Sequence, residues 1–338
     1  MSTGRLPEAA PRPAAIAQMT PILAAAGPTV PRLMERTEAR LAAIAADQGD
    51  ELGPHAAGTL AAGGKRLRPL LVFLCAGACE KKELVAAGVA VELVHMAALV
   101  HDDVLDRAAL RRGRPTVFEV AGRGPATATG DLLFARAFGE LAATGDADAI
   151  RSLSAAASAL VAGELMQRAD AWREDVSEER YARRCALKTA RLFDAACRLG
   201  ALLGTPSRGD AAALGRYGER IGLAFQIFDD VLDVTGPPER TGKRRGTDLL
   251  DGTVTLPLIL ARRADERLAR VDLRSVTGPV EAERLCDRIA ASGALDEARA
   301  EALRHVNAAK ALIAEVELDG HQGEALALVA DGVVERYA

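Results

Sequence analysis

The chain has 338 residues and a net charge of -4, with 49% hydrophobic and 27% charged residues. This is the balance of a soluble globular protein with room for a large core, and it argues against a nucleic-acid binder, which would normally carry a basic face. Aromatic residues make up only 3%, while alanine and leucine dominate, so the composition favours helices over strands.

The five cysteines are odd in number and form no CxxC pair. We expect them to be small buried side chains in a reducing compartment, so the predicted location is cytoplasmic. The first 31 residues contain six prolines and no sustained apolar core. They therefore predict a loosely ordered leader over residues 1–31 rather than a signal peptide, followed by a single all-α domain over residues 32–338.

After this leader, apolar residues recur at helical spacing nearly throughout, and no alternating strand pattern occurs. The predicted helices cover residues 32–47, 66–78, 83–107, 126–143, 149–169, 178–203, 210–234 and 255–262, with further helices up to residue 337. The most apolar stretch, residues 84–100, contains Glu92 and His95 and runs directly into acidic residues. We expect it to be a buried core helix of a large bundle rather than a membrane span.

Two acidic clusters share one pattern, HDDVLD at residues 101–106 and FDDVLD at residues 228–233. In each cluster the first and last Asp stand four residues apart, on one face of a helix, where like charges are destabilising. Carboxylate oxygens are the ligands that Mg²⁺ prefers, and this ion shares its shell with substrate phosphates. The clusters therefore predict metal ions that hold a diphosphate; the alternative is a pair of solvated acidic helix ends.

Basic clusters accompany the acidic ones. They are GGKRLRP at residues 63–69, RRGRP at 111–115, KTAR at 188–191 and KRR at 243–245. A diphosphate needs cations beyond the metal, and a helix N-terminus adds free N–H groups. Each cluster alone is typical of a solvated charge run. Their pairing with the acidic clusters, beside an apolar helix, favours a site for an apolar diphosphate over a nuclease or a phosphatase.

Six ordered segments resemble the trans-isoprenyl diphosphate synthase (polyprenyl synthetase) family. They lie at residues 63–69, 92–116, 130–138, 188–193, 222–236 and 241–257. The resemblance implies an all-α, single-domain helical bundle of the isoprenoid synthase type with a central active-site cavity. It also implies isopentenyl diphosphate and an allylic diphosphate as substrates, a cluster of three Mg²⁺ ions, a homodimer, no nucleic-acid partner, and a transient membrane contact during product release.

The resemblance also assigns residues to roles. The metal ligands would be Asp102, Asp106, Asp229 and Asp233, with Asp103 and Asp230 in direct or water-mediated support. Isopentenyl diphosphate would be held by Lys65, Arg68, His95 and Arg112. The allylic diphosphate would be held by Arg111, Lys188, Thr189, Gln226 and Lys243. Of these, Arg111, Lys188 and Lys243 join five of the six aspartates, all except Asp233, as the predicted catalytic set. His95 taken alone would more often be a core histidine.

The chain departs from the family pattern at one position. Thr253 follows Gly252 where the family usually has Lys. A contact to the allylic diphosphate is therefore missing or supplied by another cation, for which Arg244 and Arg245 are the candidates.

Product length is predicted from the helix that precedes the first acidic cluster. Ala98 and Ala97 lie four and five residues before Asp102, where short-chain relatives often carry an aromatic floor. Two alanines predict an open tunnel and a product of more than four isoprene units, unless they merely permit tight helix packing. The chain could be stopped by Phe134, Phe138 or Met166.

Three other functions remain open: a short-chain synthase, a class I terpene cyclase and a non-catalytic partner subunit of a heteromeric synthase. A cyclase normally lacks the second acidic cluster, and partner subunits usually lose acidic residues that this chain keeps.

Overall fold

The computed structural model describes residues 13–61, 64–205, 208–236, 245–318 and 320–335, most of which are helical. The chain divides into two compact units. The first comprises Met1–Arg151, Arg198–Arg208 and Leu318–Ala325, and the second comprises Ser152–Cys197, Gly209–Glu317 and Leu326–Ala338. The predicted all-α fold class is confirmed. The single domain over residues 32–338 stays a prediction.

The elements follow one another in chain order. The first half contains α1 (Pro13–Ala25), α2 (Thr29–Ala46), α3 (Gly49–Ala61), α4 (Leu67–Leu74), α5 (Lys82–Asp106), β1 (Leu110–Arg111), β2 (Arg114–Pro115), α6 (Val117–Ala121), α7 (Arg123–Ala142) and α8 (Ala147–Asp170). The second half contains α9 (Glu178–Cys185), a π-helical segment (Ala186–Ala190), α10 (Arg191–Leu203), a 3₁₀ turn (Arg208–Asp210), α11 (Ala211–Thr235), α12 (Thr247–Leu250), α13 (Leu256–Ala264), α14 (Glu266–Ala269), a 3₁₀ turn (Leu273–Ser275), α15 (Pro279–Ala291), α16 (Ala294–Ile313) and α17 (Gly320–Glu335).

Several local features differ from the predicted elements. Helix α3 over Gly49–Ala61 was not predicted. Part of the predicted leader forms α1, which starts at a proline, where the missing N–H costs little; residues 1–12 lie outside the described residues. A two-residue ribbon pairs β1 with β2. The helix predicted over residues 178–203 is interrupted by the π-helical segment.

Helix α5 forms the core of the first unit, where it packs against α7, α4 and α2. It is long and apolar enough to cross a membrane, but 78% of its apolar stretch is buried within the protein. The predicted buried core helix is therefore confirmed. Its neighbour α4 approaches closely at Gly88, because a Cβ there would lie 2.7 Å from Phe73 Cζ.

The second unit is organised around α11, which packs against α16 and the π-helical segment. Glycines on two helices make room for that segment. A Cβ on Gly163 of α8 would lie 2.7 Å from Lys188 Cα, and a Cβ on Gly222 of α11 would lie 2.7 Å from Ala190 Cα. Because π-helical backbone is wider than α-helical backbone, larger residues at either glycine would push it away.

The predicted burial of the cysteines is confirmed at four of the five positions. All five are free, four are buried and Cys79 is half-buried. None has the exposed, electropositive surroundings of a reactive thiol, and burial raises the pKa of Cys185 to about 12.

Candidate active site

The first acidic cluster occupies the last turn of α5. The helix ends because Arg107 adopts a left-handed conformation (φ 50°), and its N–H donates to the Asp103 carbonyl. Asp103 is buried, while Asp102 is half-buried and Asp106 is exposed. Helical spacing therefore turns the first and last carboxylates outward and the middle one into the protein.

The β1–β2 ribbon positions two of the predicted cations. Its tip is a tight two-residue turn in which Arg112 and Gly113 both have positive φ angles (55° and 78°), as hairpin turns of this length require. Arg111 precedes the turn, and its Nε donates to Asp103 Oδ1 over 2.6 Å. Arg112 lies against the backbone of Gly64, since a Cβ on Gly64 would be 3.0 Å from Arg112 Nη1. The ribbon thus ties the basic loop before α4 to the end of α5.

The predicted isopentenyl diphosphate ligands converge around His95. Burial, followed by the charges of Arg68 and Arg112, holds the pKa of His95 well below its ordinary value, so this imidazole is neutral at pH 7. Burial lowers the pKa of Arg68 to about 10, which leaves it cationic at neutral pH. Lys65 is half-buried in the loop before α4, and Arg68 lies in the first turn of that helix. Several cations near a neutral, half-buried imidazole form a strongly anion-attracting site.

Arg66 is the exception within this basic loop. Its side chain is only 8% exposed and forms ion pairs with Glu38 and Glu92 at 2.6 and 2.8 Å. It also donates to the Leu60 carbonyl. Arg66 therefore links α2, α3 and α5 and leaves substrate contact to its neighbours.

The second acidic cluster lies near the end of α11 and repeats the same burial pattern. Asp229 is exposed and Asp233 is half-buried, whereas Asp230 is buried. Both oxygens of Asp230 accept hydrogen bonds, from Tyr181 Oη at 2.6 Å and from Gln226 Nε2 at 2.9 Å. Burial, with the charge of Asp248 adding to it, raises the pKa of Asp230 to about 7.

Lys188 and Thr189 are presented by the π-helical segment, a type of irregularity that is frequent at functional sites. Lys188 Nζ donates to Glu164 of α8, which also accepts from Arg168 Nε at 2.9 Å. Burial alone would raise the pKa of Glu164, but these two cations outweigh it and hold the pKa below its ordinary value. Thr189 Oγ1 donates to Gln226 Oε1 over 2.8 Å.

The loop that carries Thr253 is fixed by Trp172 and Arg184. The Trp172 N–H donates to the Gly252 carbonyl over 2.8 Å, and its ring occupies the space where a Cβ on Gly252 would lie. Arg184 donates to the Val254 carbonyl over 2.6 Å. Of the candidates to replace the missing lysine, Arg245 instead pairs with Asp287 of α15, while Arg244 lies outside the described residues.

Each unit therefore assembles a distinct set of the predicted residues. The first unit brings together Arg68, His95, Asp103, Arg111 and Arg112. The second unit brings together Lys188, Thr189, Gln226 and Asp230. Lys243 lies outside the described residues.

Three supporting residues were not identified from the sequence: Glu164, Tyr181 and Trp172. The sequence did contain a signal for Glu164. It is a single carboxylate that follows twelve residues of α8 without a charged side chain, at positions 152–163. The other two residues carry no comparable signal.

Among the described residues, no three acidic, histidine or cysteine side chains lie close enough to hold a metal ion. Each acidic cluster by itself nevertheless offers donors that suit Mg²⁺, because Asp102 and Asp106 in the first and Asp229 and Asp233 in the second retain access to solvent. An ion that keeps several waters and binds substrate phosphates needs few protein ligands.

The predicted tunnel residues lie within the core. Ala97 is fully buried and Ala98 is 7% exposed. Phe134, one of the predicted stops, stacks on His101 with ring centroids 5.7 Å apart. His101 in turn contacts α7 at Gly130, where a Cβ would collide with the imidazole ring. Residues next to Asp102 are thus fixed against α7 by close packing.

The chain is similar to known prenyl diphosphate synthases. Heptaprenyl diphosphate synthase component 2 of Geobacillus stearothermophilus is 44% identical over 219 residues, which cover 64% of this chain and 68% of that protein. A short chain isoprenyl diphosphate synthase of Methanothermobacter thermautotrophicus is 37% identical over 286 residues, covering 82% and 88% of the two chains.

A crystal structure of a polyprenyl synthase from Caulobacter crescentus, complexed with calcium and isoprenyl diphosphate, is also similar. It superposes with a TM-score of 0.81 at 34% identity and covers 92% of this chain and 98% of that one. Such relatives are prenyltransferases, and the family uses divalent metal. Residues 51–285 match the polyprenyl synthetase family, and the chain therefore belongs to it.

Proposed function

We propose that this protein condenses isopentenyl diphosphate head-to-tail with an allylic diphosphate in a Mg²⁺-dependent reaction. The product would be an all-trans polyprenyl diphosphate of more than four isoprene units. One observation carries the proposal. Arg68 and Arg112 lie near the half-buried, neutral His95 in the same unit as the first acidic cluster, and Arg111 bonds to Asp103 of that cluster. A phosphate-binding pocket thus adjoins a carboxylate cluster at the end of an apolar helix.

The isopentenyl diphosphate would bind in this pocket. Lys65, Arg68 and Arg112 would neutralise its phosphates, and neutral His95 would contribute a hydrogen bond without adding charge. Fixing the diphosphate at one end orients the double bond at the other, which converts a bimolecular encounter into a positioned reaction.

The allylic diphosphate would be held by Lys188, Thr189 and Gln226, with Lys243 assigned by the family pattern. Bound Mg²⁺ would neutralise the departing diphosphate, as metal ions do for leaving oxygens. The allylic C–O bond then breaks to give a delocalised carbocation, and the double bond of isopentenyl diphosphate attacks it. Loss of a proton to the departing diphosphate completes the step. Exclusion of water matters, because water would capture the cation.

The test of this function is chain elongation by the purified protein. Farnesyl diphosphate, labelled isopentenyl diphosphate and Mg²⁺ should give labelled products of more than four isoprene units, and EDTA should abolish them until Mg²⁺ is restored in excess. Products that stop at four units would contradict the open tunnel and favour the short-chain alternative.

The role of Ala98 in the tunnel has a separate test. Ala98→Phe should shorten the product and Ala98→Leu should shorten it less; unchanged product lengths would show that Ala98 does not line the tunnel.

We also propose that the protein forms a homodimer through α8. Only 28% of the apolar stretch of this helix is buried, and Val161 and Leu165 are 51% and 66% exposed. Apolar faces of this kind mark interaction surfaces. Val161→Glu and Leu165→Glu should produce monomers in light scattering, whereas Val280→Glu, at a valine that is 56% exposed on α15, should leave the dimer intact.

One observation favours a heteromeric alternative. The Geobacillus relative is named as component 2 of its synthase, so this chain could depend on a second protein. Elongation by the chain expressed alone decides between the two arrangements, because a chain that requires a second protein would be inactive without it. The cytoplasmic location and the transient membrane contact during product release remain proposals.

A further inference from the structure

Four side chains of the second unit form one continuous series of hydrogen bonds. Tyr181 Oη donates to Asp230 Oδ2 over 2.6 Å, and Gln226 Nε2 donates to Asp230 Oδ1 over 2.9 Å. Thr189 Oγ1 then donates to Gln226 Oε1 over 2.8 Å. The series begins at a tyrosine that is only 2% exposed and ends at two residues of the proposed allylic diphosphate site.

Asp230 is the centre of this series and faces away from its neighbours in the acidic cluster. On α11 it is turned about 100° from Asp229, and it is only 4% exposed. Two donors already point at its two oxygens, so the carboxylate is committed to bonds within the protein. Those bonds also orient Gln226, because the amide N–H must face Asp230 and the amide oxygen is left facing Thr189.

Arg184 supports the buried end of the series. Its guanidinium lies 5.4 Å from the centroid of the Tyr181 ring, and its Nη2 donates to the Val254 carbonyl. Tyr181 is therefore held on one side by packing and on the other by the carboxylate. A fixed donor of this kind can hold a buried carboxylate in one rotamer.

We propose that Tyr181 is a positioning residue for the allylic diphosphate, acting through Asp230 on Gln226 and Thr189. It does not touch the substrate. It sets the orientation of two side chains before the substrate arrives, so that binding does not have to order them. This inference rests on the proposed function and assigns a supporting residue to its allylic site.

Tyr217 provides a matched control. It is also fully buried in the second unit, and its Oη donates one hydrogen bond, to the Leu326 carbonyl over 2.7 Å. Tyr181→Phe and Tyr217→Phe therefore remove the same atom, a hydroxyl that donates a hydrogen bond inside the second unit. A merely structural tyrosine at position 181 would give the same kinetic result as Tyr217→Phe.

The experiment measures elongation while each substrate is varied in turn at saturating levels of the other. Tyr181→Phe should raise KM for the allylic diphosphate about 10-fold, the order expected for losing one hydrogen bond to a carboxylate. KM for isopentenyl diphosphate should stay within about 2-fold, and Tyr217→Phe should change neither value by more than that. Asp230→Asn retains the shape of the side chain but replaces one acceptor oxygen by a donor, so it should repeat the Tyr181→Phe pattern. It takes the place of Tyr181→Phe if the Tyr181→Phe protein does not fold.

A second measurement asks whether Tyr181 acts through Gln226. In a Gln226→Met background, Tyr181→Phe should add little to the allylic KM, since coupled residues are not additive. Additive effects, equal changes for both substrates, or an equal effect of Tyr217→Phe would overturn the inference while leaving the proposed function intact. A wild-type protein that does not elongate would overturn both.

Discussion

Gly163→Ala is the substitution whose consequence follows most directly from the packing. A Cβ at this position would lie 2.7 Å from Lys188 Cα and 2.8 Å from Lys188 Cβ. Carbon atoms in contact normally stand about 3.5–4.0 Å apart, so α8 and the π-helical segment must separate by about 1 Å. The atoms in the way include backbone, which cannot rotate aside.

The expected magnitudes differ for stability and activity. Overpacking of this kind costs about 1–3 kcal/mol, and alanine returns up to about 1 kcal/mol over glycine within a helix. The net destabilisation should therefore be about 1–2 kcal/mol. Displacement of Lys188 should matter more, because a misplacement of about 1 Å in a positioning group can reduce the rate about 100-fold.

Thermal unfolding followed by circular dichroism and steady-state elongation kinetics together test this prediction. Gly163→Ala should unfold a few degrees lower and lose most of its kcat/KM for the allylic diphosphate. Gly139→Ala is the control, since Gly139 is exposed on α7 and an added Cβ meets nothing within 4 Å; it should be slightly stabilising and fully active. Wild-type activity in Gly163→Ala would refute the role assigned to this close approach.

Three further substitutions probe other parts of the site. Gly64→Ala should raise KM for isopentenyl diphosphate about 5–10-fold, because the new Cβ would displace the Arg112 guanidinium and weaken a charge-assisted contact. Glu164→Gln should lower kcat/KM for the allylic diphosphate about 10-fold, since it removes the charge that orients Lys188. Thr253→Lys should lower KM for the allylic diphosphate about 3–10-fold by adding a cation where the family normally has one. All three are measured by elongation kinetics with each substrate varied separately.

Each of these substitutions has a control within the chain. Gly58→Ala, where an added Cβ meets nothing within 4 Å, should leave both KM values unchanged. Glu140→Gln removes a comparable ion pair, formed with Arg40, and should not affect kinetics. Arg245→Ala should also leave the allylic KM unchanged, because Arg245 is paired with Asp287; a rise in that KM would identify Arg245 as the substitute for the missing lysine. Unchanged kinetics in any of the three test variants would contradict its stated role.

The features that the sequence could predict depend on local geometry. The spacing of Asp102 and Asp106 places both on one helical face whatever surrounds the helix. Their access to solvent and the burial of Asp103 follow from that spacing and from the apolar stretch before them. The boundaries of α5 and α11 were likewise predicted to within one residue, because strong periodicity and nearby turn residues mark their ends.

The π-helical segment could not be predicted, because its cause lies in other helices. Residues 178–203 have uninterrupted helical periodicity, and nothing local favours the wider backbone. Gly163 and Gly222 carried a partial signal, since a glycine within a helix costs about 1 kcal/mol and implies a compensating close approach. The sequence did not reveal which segment would occupy that space.

Contacts between residues far apart in the sequence were the second feature that could not be predicted. The three cations of the loop at residues 65–68 look equivalent in the sequence, yet Arg66 is committed to Glu92, which lies 26 residues away. Lys188 meets Glu164 across 24 residues, and Tyr181 meets Asp230 across 49. Such separations are set by the packing of whole helices, and a single sequence contains no record of them.

The middle carboxylate of each acidic cluster shows why the two identical motifs need not act identically. Helical geometry turns both Asp103 and Asp230 into the protein, where an unpartnered charge would be costly. Asp103 is met by the cation of Arg111, whereas Asp230 is met by the neutral donors Tyr181 and Gln226. Loss of the Asp103 charge would release a cation that belongs to the substrate site, so it should disturb charge balance as well as geometry. Loss of the Asp230 carboxylate would release the neutral donors Tyr181 and Gln226, so its main effect should be on their orientation.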